Sequence, residues 1–93
     1  MVNKVFRSRK AEDVLIALYR MGCLGKTELR EAAKVGGQTA EDVLEHFSRL
    51  GIVEERYVEK IGRNIVCLTE KGKRVAEYLL KIYETLGLSA EVS

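Results

Sequence analysis

The chain has 93 residues, with 16 Lys and Arg against 14 Asp and Glu, a formal net charge of +2. A hydrophobic share of 46% with 32% charged residues reads as one folded domain, 1–93, with a modest core, and no run approaches the ~20 apolar residues of a membrane span. So small a charge is a faint footprint for nucleic acid, and any case for DNA rests on where the charges sit. The start, Met1-Val2-Asn3-Lys4-Val5-Phe6-Arg7, has no apolar run behind its basic residues and does not read as a secretory signal, so the cytoplasm is the expected location. Scarce amides (Asn3, Asn64, Gln38) beside abundant Glu and Lys fit a thermophilic source, with sampling in a short chain as the bland alternative.

Helical spacing of Val14, Leu15, Leu18 and Tyr19, flanked by Ala11 and Ala17, predicts a first helix over about 8–21, stopped at Gly22. Cys23-Leu24-Gly25 leaves room for a stub of strand. Thr27 is expected to cap a second helix running to about 34, with Leu29, Ala32 and Ala33 inward. Val35-Gly36-Gly37-Gln38 reads as a sharp turn in which paired glycines supply positive φ. Thr39 is expected to cap a third helix, 40–50, with Asp42 completing a short capping box, and Ala40, Val43, Leu44, Phe47 and Leu50 buried. Two strands follow, 52–59 and 64–68, with Val53 and Tyr57 alternating against polar neighbours and 60–63 as the turn around Gly62. Thr69 caps a last helix over 70–86, stopped at Gly87, and the tail 87–93 is expected to fray.

The last helix carries two apolar stripes, Val75-Leu79-Ile82-Leu86 and Ala76-Leu80-Tyr83, wider than one core-facing side needs. The excess points to a second copy packed across a two-fold axis, with Val5, Phe6, Val75, Leu79, Ile82, Tyr83 and Leu86 at the interface. The alternative is that the first helix and Val5-Phe6 cover that face within one chain. Chemistry is sparse. His46 is the single histidine and has no visible acid–base partner, and no Gly-rich phosphate loop or nucleophile elbow is present. Two cysteines and one histidine without C-x-x-C spacing do not make a zinc site, so neither catalysis, a metal nor a cofactor is expected.

Leu50-Gly51-Ile52-Val53 at the end of the third helix and Leu68-Thr69-Glu70-Lys71-Gly72 at the start of the last one resemble the winged-helix transcription regulators. The likeness is to the compact MarR-like and PadR-like proteins and the small winged-helix proteins of archaea and their viruses, over about 8–86. It implies an α+β winged helix-turn-helix in the order helix, strand stub, helix, helix, strand, wing, strand, helix. It also implies a homodimer on double-stranded DNA that regulates transcription, in the cytoplasm of the cell or of a viral host. The recognition helix, about 39–50, would enter the major groove and the wing, 59–64, the adjacent minor groove. Gln38 could then read adenine, Thr39 a phosphate or thymine methyl, and Glu41, Asp42 or Glu45 the cytosine amino group. Phosphates would fall to Lys26, Arg30, Lys34 and Arg49, and the wing would offer Arg56, Lys60 and Arg63. The acidic outer face is unusual for a groove reader, so a protein-interaction module docking a basic partner is the alternative reading. The chain is shorter than full-length MarR-like proteins, and no small-molecule ligand is expected. In a winged helix the strand stub and the second wing strand pair, which would bring Cys23 and Cys67 together as a disulfide; an interchain bridge, a redox switch and two inert thiols stay open beside it.

Overall fold

The structure, a computed structural model, describes residues 9–88. The expectations on Val5, Phe6 and the tail beyond residue 88 lie outside the described residues. The order is α1 (Arg9–Met21), α2 (Lys26–Ala33), α3 (Gly37–Arg49), β1 (Val53–Val58), β2 (Arg63–Leu68) and α4 (Glu70–Leu86). No helix among the described residues is long and apolar enough to cross a membrane.

Helix α1 is the spine of the core. Ala11, Val14, Leu15, Ile16, Ala17 and Leu18 are all buried, while Tyr19, expected on the buried stripe, sits at the rim. Its hydroxyl donates to Glu77 Oε2 of α4 at 3.1 Å, and Tyr83 of α4 in turn donates to Glu12 Oε1 of α1. These reciprocal bonds set α4 against α1. Leu29 and Ala33 of α2, Ala40, Val43, Leu44 and Phe47 of α3, and Ala76 and Leu79 of α4 close the core around α1.

The helix starts differ from the sequence reading. Gly25, not Thr27, occupies the position before α2, and Gly36, not Thr39, the one before α3; neither cap has a side-chain hydrogen bond. Both threonines lie inside the first turn of their helices, and Asp42 accepts from the Gln38 amide at 3.0 Å instead of closing a capping box. The sharp reversal between α2 and α3 is also made elsewhere. Gly36 has φ −73°, and neither glycine of the pair is among the positive-φ residues; Lys34 takes the left-handed conformation, φ 55°. Its bend lets the Lys34 and Val35 amides cap the Arg30 carbonyl. A lysine can do this because a helix C-terminus rewards the extra carbonyl hydrogen bonds, at some steric cost.

Strands β1 and β2 form an antiparallel hairpin with Val53 opposite Leu68 and Val58 opposite Arg63. Leu24 adds a third, one-residue rung through two hydrogen bonds to Val66, at 2.9 and 2.7 Å. The turn spans 59–62, so Arg63, expected in the turn, opens β2; Gly62 supplies its left-handed φ of 65°. The expected alternation fails beyond Val53, because the distal half of β1 leaves the core and Tyr57 is exposed.

The two motifs singled out in the sequence meet in space. The Thr69 hydroxyl accepts from the Gly72 amide at 3.0 Å and donates to the Gly51 carbonyl at 2.6 Å, while the Thr69 amide donates to the Ile52 carbonyl at 3.0 Å. A Cβ on Gly72 would lie 2.1 Å from that Ile52 oxygen. The close approach of α4 to the α3–β1 corner therefore requires glycine. These motifs build the joint between α3, the hairpin and α4, which sets the hairpin's angle to α3.

Candidate nucleic-acid interface

Helix α3 is sorted by its own periodicity. Ala40, Val43, Leu44 and Phe47 face the core, so Gln38, Thr39, Glu41, Asp42, Glu45, Ser48 and Arg49 are exposed on the other side, with half-buried His46 beside the Phe47 ring. Helix α2 and the hairpin flank α3.

Four of the seven basic groups expected at the DNA, Lys26, Arg49, Arg56 and Arg63, already face a carboxylate. Lys26 lies between α2, α3 and β1, 3.3 Å from Glu41 and 3.6 Å from Glu55. The hydrogen bond to Glu41 holds its ammonium above the usual lysine value, against the opposing effect of desolvation. Arg49 pairs with Glu45 at 2.5 Å, one turn away, and Arg63 with Glu28 at 2.8 Å. Arg30 is exposed and touches Thr27 Oγ1 at 3.4 Å. At the hairpin tip Lys60 is exposed beside Ile61. All of these pairs are at least 40% exposed, where an ion pair contributes ~1 kcal/mol or less and can yield to a phosphate.

Arg56 is the exception in placement. Strand residues alternate in direction, so while Glu55 reaches Lys26 on the α2–α3 side, Arg56 points to the other face. There it pairs with Glu54 at 2.7 Å and lines a cleft with Tyr19 and Lys73. The structure does not bring Arg56 onto the surface formed by α3.

Glu28 was missed in the sequence. Its side chain folds back over the start of α2, where a Cβ on Gly25 would meet Oε1 at 2.3 Å. Oε2 takes the Arg63 hydrogen bond; Oε1 is sealed from solvent with no fully formed partner. The N–H of its own residue, and then Arg63, hold this carboxyl below the usual carboxylate value, with desolvation opposing. Because Oε1 lacks a full partner, we read that N–H as an electrostatic neighbour and not a formed bond. The signal in the sequence was a glutamate three residues after the cap, the position from which a side chain reaches back.

Solved structures share this fold. MepR, a transcription regulator of the Staphylococcus aureus multidrug efflux pump MepA, superposes with a TM-score of 0.76 at 21% identity, over 86% of this chain and 60% of that one. A MarR-family regulator from Silicibacter pomeroyi matches at 0.74 and 23%, over 84% and 53%. One from Neisseria meningitidis matches at 0.70 and 23%, over 84% and 56%. The fold is a winged helix-turn-helix. The chain spans about three-fifths of the length of such structures. No family model matches it, and no curated protein does.

In winged-helix terms, α2 and α3 are the helix-turn-helix and β1–β2 is the wing. The last helix departs from the expected interface. Leu79 is 4% exposed and belongs to this chain's own core, Val75 is half-buried against it, and half-buried Tyr83 is tied to Glu12. What remains open is Tyr78, Ile82 and Leu86, at 68%, 48% and 65% exposure and one turn apart. Tyr78 was missed because the sequence stripe ran through Leu79.

The cysteines form a disulfide. Cys23 and Cys67 are bonded across the Leu24–Val66 rung, with Cα atoms 4.4 Å apart. Cys23 is exposed and Cys67 buried.

Proposed function

We propose that this chain is a DNA-binding transcriptional regulator that works as a homodimer, with α3 in the major groove and the wing at the adjacent minor groove. The observation that carries the reading is the outer face of α3: seven exposed polar side chains with no part in the core, flanked by a wing, in a fold shared with regulators. Gln38 is the best-placed base reader. Its bond to Asp42 uses one of two amide protons and fixes the rotamer, leaving the other proton and the carbonyl for the two edge atoms of adenine. Thr39, Glu41 and Glu45 stand on the same face; Lys26, Arg30, Arg49, Lys60 and Arg63 frame it as phosphate contacts. The open stripe Tyr78-Ile82-Leu86 is the natural seat for the second protomer.

Fluorescence anisotropy with a duplex from the gene's own upstream region, against a scrambled duplex, tests this. Arg63→Ala is expected to weaken both duplexes alike, and Gln38→Ala to cost the native duplex about 1–3 kcal/mol of discrimination. If both variants bind like the parent protein, the assigned surface is wrong.

The pairing of Lys26, Arg49 and Arg63 with carboxylates favours a second reading, a protein-interaction module whose Glu41-Asp42-Glu45 face docks a basic partner. Absence of binding to either duplex at low salt would select it.

A further inference from the structure

A cleft of about 360 Å³ lies between the end of α1, the base of the wing and the first turns of α4. Tyr19, Arg56 and Lys73 line it together with both half-cystines, and no carboxylate is among its lining residues. Arg56 is held by Glu54 at 2.7 Å and Lys73 by Glu70 at 3.8 Å, exposed pairs that exchange readily for a better-placed anion. The disulfide is asymmetric here: Cys23 is exposed, whereas Cys67 is 3% exposed within β2. Apolar side chains, two cations and an exposed half-cystine thus converge on one small volume. Neither the face of α3 nor the stripe on α4 uses these groups.

We propose that this cleft docks a small anionic thiol, of the carboxylate-bearing peptide-thiol class, and that the Cys23–Cys67 bridge exchanges with it. The docked thiolate attacks Cys23 Sγ, the sulfur of the more exposed half-cystine. A new S–S bond forms between ligand and Cys23, the Cys23–Cys67 bond breaks, and its electron pair leaves on Cys67 Sγ, which takes a proton from water. One disulfide replaces another, with no net redox change. A second thiol attacking the mixed disulfide at the ligand's sulfur completes a two-electron reduction, leaving two protein thiols and the oxidised ligand dimer. Arg56 and Lys73 draw the anion in and favour the thiolate form of both the attacking and the leaving sulfur. The exchange site adjoins the Leu24–Val66 rung, so its opening removes the covalent tie at the wing's base.

The test compares opening of the bridge by glutathione, 2-mercaptoethanol and cysteamine at equal thiolate concentration, read by mass spectrometry after alkylation. Glutathione is expected to be fastest, about tenfold over the neutral thiol, and cationic cysteamine slowest, with the first adduct on Cys23. Arg56→Gln with Lys73→Gln is expected to level the three rates while the circular dichroism spectrum stays unchanged. S-methylglutathione, which cannot react, is expected to slow opening of the unaltered protein by 2-mercaptoethanol in a saturable way. Cysteamine matching glutathione, an adduct on Cys67, or no protection by S-methylglutathione would each overturn the proposal.

Discussion

Single residues at the α3–wing–α4 joint do more for this molecule than their size suggests. Gly72 has the Ile52 carbonyl where a side chain would begin, so Gly72→Ala must push α4 off the corner. A loss of about 1–3 kcal/mol is expected from such overpacking, read by urea unfolding. Thr69→Ala removes a true cap and should cost about 1 kcal/mol, whereas Thr39→Ala and Thr27→Ala, which cap nothing, should stay within ~0.5 kcal/mol. Glu28 makes a pH prediction. Its carboxyl is held below its ordinary value of 4.5 in the folded state, so the folded chain binds its proton more weakly than the unfolded one. Its contribution is complete above 4.5 and is lost as pH falls through the lower folded value. Glu28→Gln should therefore flatten the acid limb of the stability curve and leave the slope above pH 6 unchanged.

At the scale of elements, hydrophobic spacing and the stops at Gly22, Gly51 and Gly87 were enough to outline α1, α3, α4 and the hairpin. Helix starts were harder to read. A threonine two or three residues inside a helix, as at Thr27 and Thr39, looks the same in sequence as one that caps it, and glycine caps announce nothing. The reversal at Lys34 left no trace, since any residue can be forced into that conformation by good carbonyl bonding. Exposure of the α3 face followed from its period, but its charge state did not. Glu28 meets Arg63 across 35 residues, and Lys26 meets Glu55 through the packing of α2 on the wing. Such pairs become legible only once the elements are docked. The disulfide joins cysteines 44 positions apart and encloses α2, α3 and β1. Opening it, by reduction or by Cys23→Ser with Cys67→Ser, should lower stability by about 2–4 kcal/mol in a thermal or urea melt.

Over the whole molecule, a net charge of +2 is spread so evenly that the helix-turn-helix carries its own counter-charges. On the proposed function, binding to DNA would have to break exposed ion pairs, which favours contacts with correct geometry over general attraction to phosphate. The stripe Tyr78-Ile82-Leu86 on α4 is exposed among the described residues, and the proposed dimer would cover it. Ile82→Glu places a charge in its middle and should shift sedimentation from dimer to monomer without unfolding the chain. The most direct measurement is an NMR titration of the labelled protein with the duplex from its upstream region, following backbone amides. The account predicts shifts concentrated on the outer face of α3, from Gln38 to Arg49, and on the wing tip around Lys60, with α4 unmoved beyond its dimer signals. Shifts absent from α3 and the wing, or an unchanged spectrum at saturating duplex, would contradict it.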